Sequence, residues 1–390
     1  MSRLAPLRRF VPLTGTGLVV LVAGVGFWIL GWRLGWVEAL IVAAGCLLAV
    51  LVAVPFVVGR LRLEVSRDLE PVRVMEGEPA LAVLTVTNTT SRPLSPRTVE
   101  DTVDDQRLEV EVGALKPGES MESVYNLPTD RRGRHVIGPA MIVKADPLGL
   151  MRREVVQTRQ DVLWVHPRHR VVASLPVGFA KDLEGPTSDA SPAGDVAFHA
   201  LREYQVGDDY RHIHWLSTAR AGEVMVRHYV DNRRPHLGVV LHDRRADWED
   251  PDRYELGVRI AASLSVSSMV HRQPVSTLHG TDTILGARHA GTSEDLLDRL
   301  TEVRAGEGAS LADAVGHLRR TELQVSATAL VVGPGVARDD LLASVRSARR
   351  LGRVVLVRVD APEPLAVPGA KVLEVAALDE LVAAWNRMVR

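Results

Sequence analysis

Residues 195–230 hold the densest group of chemically active side chains in this chain of 390 residues. The segment contains four of the thirteen His and three of the five Tyr. Paired Arg and Asp side chains form bidentate hydrogen bonds that can fix the geometry of a loop. Such pairs are available around the turn at Gly207: Arg202, Asp208, Arg211 and Arg220. The segment is therefore either a functional site or an interlocked polar network.

Two histidines in this segment, His212 and His214, have a spacing that suits metal ligands. Residues two apart in a strand face the same side, and neutral imidazoles placed in this way bind zinc. Three side chains can supply a third ligand, and their spacing selects none of them: His199, His228 and Asp208. The simpler interpretation is a sheet-edge network with the neighbouring acids and Arg211. We predict this network, with no bound metal and no cofactor.

Catalysis by the same residues would require a nucleophile or an activated water molecule held in position. Ser217 and Thr218 follow His214 closely, but no nucleophile elbow and no oxyanion glycines surround them. No Walker motif or other phosphate-binding glycine loop occurs in the sequence, which argues against ATP binding. We predict that the chain is not an enzyme. A membrane-associated hydrolase with a His/Asp site in residues 199–228 is the alternative.

The N-terminal part of the chain predicts how these residues are held in the cell. Two apolar runs, 18–32 and 37–58, each approach the ~20 residues that cross the apolar core of a bilayer. Arg residues flank both outer ends of the pair, whereas the short turn between the runs carries only Arg33. The positive-inside bias therefore predicts a multi-pass protein of the cell membrane, with both termini and the soluble domains in the cytoplasm. Three tryptophans mark the outer interface: Trp28, Trp32 and Trp36.

A cleaved signal peptide is the main rival to a two-span hairpin. The first run has the length of a signal-peptide core, but no convincing small-residue cleavage site follows it. The second, longer run has no charged side chain after Glu38 and has the character of a return span. We therefore predict that the lipid bilayer is one partner of this chain.

Composition excludes several classes of function. The formal net charge is −1 with acids and bases interspersed, so no basic stripe is present that would bind nucleic acid. Cys46 is the only cysteine and lies inside the second apolar run. An intrachain disulfide and a thiolate metal cluster are therefore impossible, which agrees with a reducing compartment.

The remaining residues fall into segments with different periodicities. Short alternating segments separated by turn residues predict an antiparallel β-sandwich over residues 61–160. Residues 161–235 are a linker followed by the dense block. From residue 236, continuous apolar strands alternate with helices, which predicts a doubly wound α/β domain with a parallel sheet covered on both faces. The predicted fold class is thus a multi-domain membrane protein whose first domain, residues 1–60, is a two-helix transmembrane hairpin.

The dense block also carries a recognisable signature. Its motifs are Arg202-Glu-Tyr204-Gln-Val-Gly207-Asp208, Arg211-His-Ile-His214-Trp215, Ala219-Arg220 and Val226-Arg227. Upstream motifs are Arg132-Gly-Arg134, Gly138-Pro139 and Asp146-Pro-Leu-Gly149. Together these motifs resemble the domain-of-unknown-function 58 family over roughly residues 15–360. The resemblance implies a membrane hairpin, a sandwich, a C-terminal domain similar to von Willebrand factor A and a MoxR-type AAA+ ATPase as partner. It implies no reaction, because the activity of the family is not settled.

Domains similar to von Willebrand factor A can hold a divalent cation in an Asp-x-Ser-x-Ser loop after the first strand. Here the corresponding loop is Asp243-Arg-Arg245-Ala-Asp247, so both hydroxyls are replaced. Ser310 can stand for the Thr of such sites, whereas Gly333-Pro334 follows the later strand where an Asp is expected. A guanidinium in the loop repels a cation and can pair with Asp243 or Asp247 instead. Asp243 and Ser310 thus remain weak candidate ligands, and we predict no bound metal.

These observations lead to one expected function. We expect a membrane-anchored cytosolic scaffold that assists a MoxR-type AAA+ ATPase in the assembly or maturation of client complexes. The expected docking and signature residues are Arg202, Tyr204, Gly207, Asp208, Arg211, His214, Trp215 and Arg220.

Overall fold

The structure is a computed structural model that describes residues 12–58, 63–94, 96–104, 106–176, 196–205, 210, 213–231, 235–286, 291–322, 325–362 and 364–390. The chain divides into two compact units, Met1–Val165 and His166–Arg390. The first unit contains the apolar helices and a β-rich body, and the second contains the signature segment and an α/β body.

The two apolar runs form the helices α1 (Gly15–Leu34) and α2 (Val37–Val57). Both helices are long and apolar enough to cross a membrane. Gly35, with φ +69°, ends α1 in the left-handed conformation that closes the short turn. The helices approach one another closely where Gly24 faces Cys46, since a Cβ on Gly24 would lie 3.0 Å from the Cys46 Cβ. Small residues allow this kind of contact between membrane helices.

The β-rich body consists of two antiparallel sheets. One sheet has the order β1-β3-β6, and the other has the order β2-β10-β7-β4-β8-β9 with β5 paired to β4. Alternation along the strands buries one side chain in two, as in the pattern of β3. The strands are β1 (Leu63–Glu70), β2 (Arg73–Met75), β3 (Leu81–Asn88), β4 (Arg97–Val103), β5 (Gln106–Val112), β6 (Ser120–Asn126), β7 (Gly133–Ile137), β8 (Met141–Ala145), β9 (Arg152–Val156) and β10 (Asp161–His166).

The two sheets share their apolar core. Leu84 and Val86 from β3 are buried in one cluster with Val99 from β4 and Ile142 from β8. Since β3 belongs to one sheet and β4 and β8 to the other, both sheets contribute side chains to this cluster.

A buried ion-pair network lies between these sheets. The Arg67 guanidinium is fully buried and donates to Asp101 at 2.8 Å and to Asp161 at 2.6 Å. Tyr125 donates its hydroxyl to the second Asp101 oxygen. Burial alone would lower the pKa of Arg67, but its bonds to Asp161 and Asp101 outweigh burial and raise that pKa. The guanidinium is therefore held charged in the core.

The signature motif Gly138-Pro139 is explained by the same network. Gly138 has φ +87°, and a Cβ at this position would lie 2.4 Å from an Arg67 Nη atom. Only glycine accepts both this backbone conformation and this proximity. Gly138 therefore gives Arg67 the room to reach its carboxylates.

The α/β body is built on a six-stranded sheet of order β15-β14-β13-β16-β17-β18. All neighbouring strands are parallel except β15, which runs antiparallel to β14. The strands are β13 (Leu237–Leu241), β14 (Val275–His279), β15 (Asp282–Leu285), β16 (Ala327–Val332), β17 (Arg353–Val359) and β18 (Ala370–Val375). The helices are α4 (Pro251–Val270), α5 (Ser293–Glu302), α6 (Leu311–Thr321), α7 (Arg338–Ala348) and α8 (Leu378–Val389).

Apolar side chains cover both faces of this sheet. Val239 and Leu241 of β13 lie in one core with residues of α4, α5 and α8. Val240 lies in the opposite core with residues of α6 and α7. Every residue of β13 is buried for this reason, which is the physical origin of the continuous apolar strand in the sequence.

Candidate functional site

The signature segment forms a hairpin with a short helix, which we call the signature hairpin. Its elements are β11 (Val196–Glu203), α3 (Trp215–Ala221) and β12 (Met225–Asp231). The two strands are antiparallel, and among the strands in the described ranges they pair only with each other. Ile213 and Val226 form an isolated bridge, and both side chains are buried. The hairpin is thus held by its own ladder and a small apolar contact.

His214 is the N-cap of α3 and does not lie in a strand. Its Nδ1 lies 3.3 Å from the Ser217 backbone nitrogen, which donates to it, and 2.7 Å from the Ser217 hydroxyl. The same-side placement that a strand would give to His212 and His214 therefore does not apply to His214, because β11 ends before it and β12 begins after it. The ring satisfies an N–H group of the first helical turn, which is the task of an N-cap.

Large apolar side chains of the hairpin are exposed. Tyr210 is 71% exposed, Trp215 69% and Leu216 61%. The Tyr210 ring stacks on Tyr204 with centroids 5.6 Å apart. We call Tyr210, Trp215, Leu216 and the exposed Val224 the signature patch. Sequence reasoning found Trp215 but missed Tyr210 and Leu216, whose only local signal is their proximity to Trp215 in the chain.

The charged signature residues are described only in part. Arg202 donates to the backbone oxygen of Glu203 at 3.0 Å. Arg220 lies exposed in the last turn of α3, where a cation complements the helix dipole. Other candidates lie outside the described residues or have undescribed side chains: Gly207, Asp208, Arg211, His212, His199 and His228. The predicted network around Gly207 stays a prediction.

A second candidate site is the carboxyl edge of the parallel sheet, where Asp243 follows the end of β13. The chain continues from β13 to β14 on one side and later to β16 on the other, so this edge is a switch point of the sheet. Ligands of open α/β sheets bind in such crevices. Asp243 lies between two glycines, since a Cβ on Gly280 or Gly308 would lie 2.2 or 2.1 Å from its carboxylate. Its Oδ1 is buried without a hydrogen-bond partner in the described part of the chain.

The two arginines that follow Asp243 do not neutralise it. Arg245 donates to the Ala305 carbonyl at 3.2 Å. Arg244, the other guanidinium of the loop, lies 3.8 Å from Asp247, which is one of the two pairings that the sequence allows. The Asp247 carboxylate also lies 2.7 Å from Nε2 of the fully buried His242. Asp247 is therefore engaged in holding its own loop.

Ser310 is the N-cap of α6. Its hydroxyl accepts from the Asp313 backbone at 3.2 Å and lies 2.7 Å from the Asp313 carboxylate. Within the described ranges, no group of three or more His, Cys, Asp or Glu side chains is placed to hold a metal ion. Asp243 and Ser310 are thus two single oxygen ligands that a cation could use, and the Ser310 hydroxyl already caps α6.

An open cavity of about 370 Å³ lies beside the first turn of α8. Guanidinium and carboxylate groups both line it, so its charge selects neither an anion nor a cation. The lining residues are Arg168, Asp252, Leu256, Arg259, Ala376, Ala377, Leu378 and Asp379.

The chain combines four parts. They are two helices long and apolar enough to cross a membrane, a β-rich body, an α/β body and the signature hairpin. Residues 200–384 match the model of the family described as "Protein of unknown function DUF58". This match confirms the resemblance to the family that the signature motifs predict.

One curated relative is the "Uncharacterized protein YeaD" of Bacillus subtilis (strain 168). It is 25% identical over 213 residues, which cover 52% of this chain and 52% of the relative. The chain thus spans about half the length of the curated relative that it matches.

Solved structures with some likeness cover only parts of the chain. The CARDB domain of the PF1109 protein from Pyrococcus furiosus is 18% identical, covering 26% of this chain and 91% of its own, with a TM-score of 0.22. The sporulation control protein Spo0M from Bacillus subtilis is 16% identical, covering 28% of this chain and 51% of its own, with a TM-score of 0.19. Likenesses with TM-scores this low indicate neither a shared fold nor a shared function.

Proposed function

We propose that this protein is a membrane-anchored cytosolic scaffold. Its α1–α2 hairpin spans the cell membrane, with both termini and both soluble bodies in the cytoplasm. The β-rich body serves as a sandwich, and the α/β body is similar to von Willebrand factor A. The scaffold assists a MoxR-type AAA+ ATPase in the assembly or maturation of client complexes, and the signature hairpin is the docking element.

The observation that carries this proposal is the exposure of the signature patch. Trp215 is 69% exposed beside Leu216, at 61%, on a helix that buries no residue of its own. Aromatic residues and Arg dominate the energy of protein interfaces. Arg220 lies in the same helix, so α3 combines an aromatic anchor with a cation. A solvent-facing helix of this composition is suited to a protein partner.

A second candidate function is supported by the contact between His214 and Ser217. Their 2.7 Å separation suits activation of the Ser217 hydroxyl by an imidazole. The same Nδ1 also accepts a hydrogen bond from the Ser217 backbone N–H, so its lone pair also serves to cap α3. A membrane-associated hydrolase with a site in residues 199–228 would use this pair.

We expect Trp215→Ser and Leu216→Ser to weaken recruitment of the MoxR-type ATPase to membranes that contain this protein. Truncation of a central anchor costs about 2 kcal/mol or more, which corresponds to about thirtyfold in affinity. The measurement is titration of the purified ATPase against the full chain in nanodiscs.

Val270→Ser is the matched control, because Val270 is 57% exposed at the end of α4. It should leave the affinity unchanged. Equal affinities for the parent chain, Trp215→Ser and Val270→Ser would contradict the docking role. Ser217→Ala separates the two functions: the scaffold keeps full recruitment, whereas the hydrolase loses a measurable turnover while recruitment persists.

Membrane orientation gives a further prediction. Reporters fused after residue 70 and at residue 390 should both be active only as cytosolic reporters, because Arg residues flank both outer ends of the hairpin. Paired fusions of a cytosolic and an exported reporter measure this. An active exported reporter at either position would overturn the orientation.

A further inference from the structure

The turn at residues 146–151, which we call the membrane-side turn, is bonded directly to the start of α1. Thr14 donates its hydroxyl to the Gly149 carbonyl at 2.6 Å and its backbone N–H to the Leu150 carbonyl at 3.0 Å. The Arg152 N–H donates to the Pro12 carbonyl at 2.7 Å. The entry to the first apolar helix is thus paired with the β-rich body.

The approach of the turn to α1 is close enough to require glycine. A Cβ on Gly17 would lie 1.9 Å from the Leu150 carbonyl oxygen. Any other residue at position 17 would force the turn away from the helix. The contact is therefore a fitted junction between the turn and α1.

The same turn also packs against the end of α2. Leu150 and Met151 are buried in one apolar cluster with Ala53 and Val57, and Leu13 packs against this cluster. The turn therefore binds the beginning of α1 and the end of α2 together, at the end of the hairpin where the chain leaves the apolar spans.

Asp146 holds the shape of the turn from within. Its carboxylate accepts from the backbone N–H groups of Leu148 and Met151, and Gly149 closes the turn by donating to the Asp146 carbonyl. Burial alone would raise the pKa of Asp146, but these backbone hydrogen bonds outweigh burial and hold the pKa below its ordinary value. The stabilisation is therefore present at neutral pH and is lost only as the pH falls through the folded-state pKa.

Leu148 lies at the tip of this turn with 63% of its surface exposed. Leu18, the first residue of the apolar run, is four residues after Thr14, or about 6 Å along the helix axis. The interfacial layer on each side of a bilayer is about 5–8 Å thick. A turn bonded to Thr14 thus falls within this layer when α1 spans the membrane.

We propose that the membrane-side turn clamps the two spans to the β-rich body and inserts Leu148 into the lipid interface. The occupant of the exposed Leu148 surface is the bilayer, because the turn that carries Leu148 is bonded to Thr14 at the start of α1 and packs against the end of α2. This inference rests on the proposed membrane-spanning role of the hairpin. It assigns the motif Asp146-Pro-Leu-Gly149 a structural task at the membrane.

The test is nitroxide labelling of the full chain in vesicles of phosphatidylcholine with a minority of phosphatidylglycerol. Cys46→Ala removes the native thiol, and Leu148→Cys, Val42→Cys or Val124→Cys then supplies one labelled site. Val124 is the matched control at 58% exposure, and Val42, with 48% of its surface exposed, lies within α2. At each labelled site, the measurement is the ratio of two collision rates of the nitroxide. The first is its collision rate with oxygen, which concentrates in lipid, and the second is its collision rate with a water-soluble nickel chelate.

We expect the ratio at position 148 to exceed that at position 124 and to fall below that at position 42. Thr14→Val, which removes the hydroxyl bond to Gly149, should lower the ratio at position 148, and Thr14→Ser should keep it. A lipid-like ratio at position 42 with equal ratios at 148 and 124 would overturn this inference alone. A water-like ratio at position 42 would overturn both this inference and the membrane-spanning function.

Discussion

Replacing Arg67 by Ala should lower the free energy of unfolding of the β-rich body by about 3–5 kcal/mol. The Arg67 and Asp101 side chains are both fully buried, and Asp161 and Tyr125 complete the network. Loss of the guanidinium would leave the Asp101 carboxylate in the core without its counter-charge. A buried carboxylate without a partner is among the most costly defects in a core.

Hydrogen exchange of the full chain in nanodiscs measures this effect. Amides of β1 and β10 should exchange at least about a hundredfold faster in Arg67→Ala, since 3 kcal/mol exceeds two factors of ten. Arg107→Ala is the matched control, because the Arg107 side chain is 59% exposed and its carboxylate contacts are 3.5 and 3.8 Å long. Such pairs contribute no more than about 1 kcal/mol. Equal exchange in the two variants would show that the buried network adds nothing.

Replacing Trp248 by Ala should destabilise the α/β body by about 3–5 kcal/mol, the usual cost of truncating a buried aromatic residue. Trp248 is 1% exposed and donates its indole N–H to the His242 carbonyl at 3.1 Å. Its ring lies against α4 at Gly257, where a Cβ would lie 2.4 Å from the ring. Tyr254 meets the ring edge-on at 5.4 Å. The cavity left by Ala would be bordered by groups that have no room to collapse without moving α4.

Hydrogen exchange of the β13 and α4 amides measures this loss of stability. Trp248→Phe should have an intermediate effect, because it keeps an aromatic ring and loses the indole hydrogen bond. Trp215→Ala is the matched tryptophan control, and its effect on stability should stay within about 0.5 kcal/mol because the side chain is exposed. A large loss of stability in Trp215→Ala would instead mean that the signature patch is part of a core.

Sequence patterns determined the elements whose physical cause is local. A run of apolar residues of membrane length needs no tertiary partner to be recognised, and α1 and α2 follow the two runs within a few residues. The strands β13, β16 and β17 also follow from the sequence, because burial on both faces makes their interiors largely apolar. The strand β14 is buried in the same way, although it carries Ser276, Thr277 and His279. The family resemblance belongs to the same category, since its motifs are contiguous.

The sequence did not predict elements and helix caps whose local signal is weak. The edge strands β15 and β18 bury fewer side chains than the central strands, so no continuous apolar run marks them. His214 has the sequence spacing of a strand residue, but it caps a helix because Ser217 lies one turn further along. Ser310 likewise caps a helix, through Asp313.

Only the tertiary structure decided the contacts between residues that are distant in sequence. Arg67 meets Asp101 and Asp161 across separations of 34 and 94 residues. Thr14 meets Gly149 across 135 residues. A periodic pattern reports which side of one element is buried, whereas strand order determines which element faces that side. The charge network in the core and the junction between Thr14 and the turn at residues 146–151 therefore depend on topology, which no single segment of the sequence encodes.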